Sequence, residues 1–303
     1  MWKRILIGLL IVIIAGGALA WLNRQAIIMA MLKRAAQVEV AENRPIEWTQ
    51  GPATASADRS EGPPNIVFIL ADDLGYNDIS TFGGGLAGGL VPTPNIDRLA
   101  AEGAVFTDAY SGTGTCAPSR AMLMTGRYPT RTGFEFTPTP PGFDRLIDMF
   151  SEASSEPNAL PPRTGNLDVS VPSVAYEDMG LPPEEITVAE VLKQQGYQTI
   201  HIGKWHLGRA DQFRPVNQGF DESLLMASSL YLEKDDPNAV NAVVDFNPVE
   251  QFAWNLGQFA AEFDRAGEPT SGERFAPGGY LTDYWTDEAL NVIDANRNNP
   301  FFL

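Results

Sequence analysis

The sequence predicts an α/β fold, a doubly wound and mainly parallel sheet flanked by helices. Three observations carry that expectation. Apolar runs too short for helices alternate with capped helical stretches, and strand–helix alternation of this kind builds parallel sheets. A length of 303 residues with 44% hydrophobic content suits one large domain with a sizeable core. The single cysteine excludes an internal disulfide framework and every cysteine-rich zinc site, so packing must hold the chain together.

The elements follow in order. Lys3 and Arg4 precede an uncharged apolar run, Ile5–Leu22. Its first part, Ile5–Ala15, has the length of a signal-peptide core, and Ala18-Leu19-Ala20 matches a small-x-small cleavage pattern. Read whole, the run reaches the lower limit for crossing a bilayer. Residues 1–22 are therefore expected to be a signal peptide or a membrane anchor, and the domain to be exported, periplasmic or anchored. A second apolar patch, Ala26–Leu32, lies between Arg24 and Lys33-Arg34 and suits a membrane surface. Residues 23–64 read as a linker, polar and rich in small residues from 39 onward. Asn65–Leu70 predicts a buried strand opening a domain over 65–303. Thr93-Pro94 opens a helix that Gly103 ends, and 104–110 predicts the next strand. Thr187 with Glu190 forms a capping box for a helix ending at Gly196, followed by a strand over 198–202. A helix over 286–296 leads to Pro300 and to a strand beginning at Phe301.

Charge narrows the function. Residues 1–44 hold six Lys/Arg against two Glu, and the remainder 15 against 36, for a total of −17. An acidic domain behind a basic leader suits export and argues against a nucleic-acid partner.

Three places carry chemistry. Asp72 and Asp73 follow the first predicted strand, and in α/β sheets ligands bind at the carboxyl ends of strands. Paired carboxylates there suit a hard cation, Ca²⁺ or Mg²⁺, although alone they read as a solvated turn. Cys116 stands just before a helix that Pro118 is expected to open and Gly126 to close. Free amides and the helix dipole favour an anion at that point, and Arg120 adds a cation on the first turn. A buried structural cysteine fits poorly among the polar, turn-forming neighbours. Lys204 and His206 follow the 198–202 strand two residues apart, so extended chain would aim both at one spot. A cation and a base together suit an anionic substrate and proton transfer. His201 reads as a structural histidine.

Taken together, these pieces resemble the sulfatase family of the alkaline phosphatase superfamily. The matching residues are Asn65–Gly75 (NIVFILADDLG), Cys116-Ala117-Pro118-Ser119-Arg120 with Thr125-Gly126-Arg127, Gly203–Gly208 (GKWHLG) and Gln218-Gly219-Phe220-Asp221. The likeness covers roughly 64–221 and resumes around 280–303. It implies that a formylglycine-generating enzyme oxidises Cys116 to formylglycine, whose hydrate is the nucleophile. It further implies that Arg120 and Lys204 stabilise the reacting centre, Lys204 and Ser229 contact sulfate, and His206 takes a proton. Asp72, Asp73 and Cys116 would then lie at a Ca²⁺ ion, and the substrate would be a sulfated small molecule or glycan. The family pattern also includes a second His, an Asp-Asn metal pair and a second Lys, none within these 303 residues. The sequence therefore reads as the N-terminal portion of a sulfatase, inactive and poorly folded as it stands. Two other readings stay open: a phosphodiesterase or phosphonate monoester hydrolase of the same superfamily, and a catalytically dead, membrane-tethered binding module. Segments 135–185 and 222–280 are expected to form the rim that selects the substrate.

Overall fold

A computed structural model describes residues 2–55, 62–85, 89–139, 174–227 and 260–303. Its helices are α1 (Trp2–Leu22), α2 (Arg24–Ala36), α3 (Pro94–Glu102), α4 (Cys116–Thr125), α5 (Pro129–Thr132), α6 (Val188–Gln194) and α7 (Leu281–Ala295). Its strands are β1 (Val40–Ala41), β2 (Gln198–Gly203), β3 (Glu222–Met226), β4 (Ala261–Arg265), β5 (Arg274–Phe275) and β6 (Phe301–Phe302). They form one sheet in the order β1-β5-β4-β3-β2-β6.

That sheet is mixed, with three of its five pairings parallel. β2 runs parallel to both β3 and β6, as expected, and β1 is parallel to β5, but β4 is antiparallel to its two neighbours. The reason is visible at β4–β5: the connection from Ala266 to Glu273 is too short for the crossover that a parallel pair requires.

Side chains alternate across the sheet, and so the strands feed two cores. Phe301 of β6, Ile200 of β2 and Leu224 of β3 face one side, with Trp48, Phe275 and Val292 of α7. Phe302 faces the other, with Ala117, Ala121 and Met124 of α4, Ala189 of α6, Trp205 and Phe220. Helices therefore cover both faces of the parallel half. The α6–β2 unit is held by local chemistry. Thr187 Oγ1 accepts from the Glu190 amide, Glu190 Oε2 accepts from the Thr187 amide, and Thr187 Oγ1 also donates to the Gln218 carbonyl. Gly219 is required where it stands: its φ is 100°, and a Cβ would collide with the Glu190 nitrogen. Asp221 completes the brace by accepting from the Thr199 amide and pairing with Lys193.

Three expectations need correction. Residues 65–70 pair only in part: Ile66 bridges Phe302, and Phe68 donates to Leu303, the last residue of the paired run. Val67, Ile69 and Leu70 are exposed. Residues 104–110 form no strand, because they meet no ladder partner among the described residues, and Val105, Phe106 and Tyr110 lie open to solvent. The α7 helix starts at Leu281, a turn and more before the expected 286.

Residues 39–55, part of the stretch read as linker, also turn out to contribute to the domain. Val40–Ala41 pair with β5, the Gly51 amide donates to the Ala295 carbonyl, and Trp48 is buried with its Nε1 donating to Glu288 at 2.7 Å. Small polar composition hid this, since backbone bonds and one aromatic anchor need no apolar pattern. Trp48→Ala is expected to cost about 3–5 kcal/mol of stability in chemical denaturation. A change under about 0.5 kcal/mol, typical of an exposed site, would return the segment to linker status.

Candidate active site

The expected residues converge at the C-terminal end of β2, where α4 and the turn after residue 71 meet it. Asp72 is the hub. Its Oδ1 accepts from Arg120 Nη2 at 2.9 Å and its Oδ2 from Lys204 Nζ at 2.7 Å. Arg120 also donates through Nη1 to the Lys204 carbonyl at 2.6 Å, so one guanidinium ties α4, the β2 exit and the acidic turn together. The two cations are largely buried, at 11% and 14% side-chain exposure, whereas Asp72 keeps 29%. Burial alone would raise the Asp72 pKa, but hydrogen bonds from Lys204 and Arg120 outweigh it and hold the carboxyl below its ordinary value.

Cys116 is the first residue of α4, with Thr115 extended before it as N-cap. Pro118 therefore sits at the third helical position rather than the first. It does no harm there, because the first four amides of a helix have no partner inside it. Gly126 closes the helix in the left-handed region, as expected. Cys116 Sγ lies 3.9 Å from Asp73 Oδ1, and Asp73 itself is left-handed at φ 57°. A carboxylate oxygen from Asp72, one from Asp73 and the Cys116 sulfur all lie within 4.8 Å of one another. Two hard oxygens at one point fit a divalent cation of the Ca²⁺ or Mg²⁺ kind and would supply part of its shell.

Lys204 and His206 reach the same region by a route the sequence did not suggest. The ladder stops at Gly203, and His206 is left-handed at φ 65°, so extended strand does not aim the pair. Alternation survives because Trp205 and Leu207 are buried in the core between them. Trp205 Nε1 donates to the Phe213 carbonyl at 2.7 Å, and the Leu207 carbonyl accepts from the Leu181 amide. These two anchors are the positioning residues that sequence reasoning missed; the signal was the apolar residue at every second place in Lys204–Leu207. His206 Nδ1 is buried without a partner. Desolvation first, then repulsion from Lys204 and Arg120, lowers its pKa to about 4 despite the opposing pull of Asp72. The imidazole is therefore neutral near pH 7.

His201, read as structural, lies between Trp205 and Phe220 and shares a 3.0 Å hydrogen bond with Ser223. Burial lowers its pKa to about 4 as well. Both histidines titrate below the unfolded value near 6.5, so the unfolded chain takes up protons first as pH falls. Their destabilising effect is absent above about pH 6.5 and grows toward pH 4, at up to about 1.4 kcal/mol per pH unit each. A denaturation series from pH 7 to 4 should show this loss, and His201→Gln should make it shallower. An unchanged slope in the variant would contradict the buried, neutral assignment. Ser229 lies outside the described residues, as do 140–173 and 228–259 of the expected rim.

An acidic pair, two largely buried cations, a helix-terminal cysteine and a neutral imidazole thus gather at one strand exit of an α/β fold. The family model for sulfatases matches residues 64–303, and the chain belongs to the sulfatase family. N-acetylgalactosamine-6-sulfatase of Mus musculus is 34% identical over 247 residues, 80% of this chain and 38% of that protein. Arylsulfatase A of Homo sapiens is 43% identical over 164 residues, 54% of this chain and 25% of that protein. Among solved structures, the crystal structure of Ps i-CgsB aligns with a TM-score of 0.52 at 30% identity, covering 79% of this chain and 44% of that one. The PsFucS1 sulfatase from Pseudoalteromonas sp. gives 0.51 at 28%, covering 80% and 43%. The chain thus spans well under half the length of these relatives.

Proposed function

We propose that the protein carrying this chain hydrolyses sulfate esters to an alcohol and inorganic sulfate, with Cys116 converted to formylglycine as its nucleophile. The observation that supports this reading best is the placement of Cys116 at the first turn of α4, beside Asp73 and on the same helix as Arg120. Family membership supplies the reaction class. Formylglycine, when formed, offers a hydrated aldehyde whose hydroxyl attacks sulfur, and Ca²⁺ held by Asp72 and Asp73 would lower the cost of placing that negative charge. Arg120 and Lys204 neutralise the sulfate oxygens and the charge that develops on them during transfer. Attack on sulfur releases the alcohol, and His206, neutral and desolvated, would then accept the proton of the second hydroxyl as the C–O bond to sulfate breaks, which frees sulfate and restores the aldehyde. The domain is proposed to work outside the cytoplasm on a sulfated glycan or small sulfate ester. Two relatives point toward glycans: one is named for N-acetylgalactosamine-6-sulfate, and i-CgsB has been solved with k-i-k-neocarrahexaose.

The test is chemical and works on this chain as it stands. After co-expression with a formylglycine-generating enzyme, the tryptic peptide Leu99–Arg120 should be roughly 18 Da lighter, sulfur exchanged for oxygen and two hydrogens lost. An unmodified peptide, with a control substrate of the same enzyme converted, would remove the nucleophile from the proposal. In the protein carrying this chain, parallel assays with aryl sulfate and aryl phosphate should then favour the sulfate.

A further inference from the structure

The N-terminal region holds features that the catalytic reading leaves unused. The run Ile5–Leu22 is an unbroken part of α1, uncharged and wholly uncovered by the rest of the protein. Trp2 and Trp21, both exposed, stand 19 residues apart. Helical rise puts them about 28 Å from each other, close to the roughly 30 Å thickness of a bilayer's hydrocarbon core. Tryptophans at both ends of an apolar helix mark the two membrane–water interfaces.

The helix also passes straight through the cleavage-like triplet Ala18-Leu19-Ala20. The Leu19 carbonyl accepts from the Asn23 amide at 3.0 Å and from Asn23 Nδ2 at 2.8 Å, and the Asn23 carbonyl accepts from the Ile27 amide. Peptidases take their substrates as extended chain, whereas this triplet lies within α1 and its Leu19 carbonyl is bonded onward. Beyond it, the Arg24 guanidinium sits 4.7 Å over the Trp21 ring and donates to the Trp21 carbonyl. A cation folded back on an aromatic ring suits the level of lipid headgroups. Residues 1–36 contain five Lys/Arg and no acidic residue, so anionic headgroups at either surface meet only positive charge.

From these features we infer that α1 is retained as a membrane-spanning anchor, with Trp2 and Trp21 at its two interfaces and anionic phospholipid as its partner. The sulfatase domain is thereby held at a lipid surface through α2 and β1. This inference stands apart from the catalytic reading, and its test measures no activity.

The full chain, tagged at its C-terminus, should be expressed in a Gram-negative host and its membranes floated on a density gradient after an alkaline carbonate wash. The protein is expected to float with the lipid, and a tryptic digest should contain the intact peptide Ile5–Arg24. Ala20→Leu, which would block a signal peptidase, should leave the apparent mass unchanged. A mature N-terminus at Trp21, a rise of roughly 2 kDa in the Ala20→Leu variant, or failure to float would each overturn the anchor.

Discussion

Cys116→Ala in the protein carrying this chain is expected to lower turnover of an aryl sulfate by about 10⁴-fold or more, while the melting temperature moves by only a few degrees. The two readouts must be taken together. Removing a covalent nucleophile deletes the step on which the other catalytic groups act, which is why such losses are large and do not add to those of its neighbours. The stability cost, in contrast, is small. The side chain is a short thiol, half-buried at the first position of α4, and Thr115 remains in place as the N-cap. A structural cysteine would reverse the pattern, with activity near wild type and stability reduced by a buried-side-chain loss. Retained turnover in Cys116→Ala would remove formylglycine from the mechanism, even if the peptide had been found oxidised.

How far the sequence spoke for the fold depended on how local each signal was. The capping box at Thr187, the Thr93-Pro94 start and the Gly103 and Gly126 stops act within a turn or two of chain, and the structure carries all of them. The antiparallel side of the sheet was not legible. β4 reads Ala-Glu-Phe-Asp-Arg, an alternation that would send its acids to solvent, yet Glu262 and Asp264 are buried. What permits this is distant in sequence: Arg214 donates to both acids and Arg274 to Glu262. Buried carboxylates are tolerable only with such partners, and a single stretch of sequence cannot show them. The Trp48 anchor was hidden for the same reason, its partner Glu288 lying 240 residues away.

The site divides along the same line. Which residue types carry the chemistry was readable from motifs, because each motif sits at a strand exit or helix start that local rules place. Their joint arrangement was not. Asp72 was expected to serve a metal, and the structure gives its two oxygens first to Arg120 and Lys204. A carboxylate that already neutralises two cations is a shared ligand. Any ion placed there must compete with that pairing or be joined by Asp73. The sequence also offered extended strand as the device aiming Lys204 and His206. The working device is the burial of Trp205 and Leu207, which holds a left-handed turn in one conformation.

The arrangement makes Arg120 the second residue whose replacement should be severe, and the conservative change is the more informative one. Arg120 uses separate nitrogens for the Asp72 carboxylate and the Lys204 carbonyl, at 2.9 and 2.6 Å. A lysine keeps the charge, but its single ammonium cannot reproduce a rigid planar fork. Arg120→Lys is therefore expected to lower kcat/KM by about 10²-fold, the cost of losing one preorganised donor at developing negative charge. The Lys204 carbonyl would lose its partner, so the β2 exit should loosen and the ammonium of Lys204 should sit less well. Arg120→Ala should cost about tenfold more in rate and about 1–3 kcal/mol of stability, since the largely buried Lys204 would keep Asp72 but the carbonyl would be left bare. Comparing the two variants separates charge from geometry. If Arg120→Lys matches wild type in kcat/KM, a point charge is sufficient and the guanidinium's tie between α4 and β2 has no catalytic consequence. If both variants lose activity equally, the fork itself, and with it the placement of Lys204 beside Asp72, is what the reaction depends on.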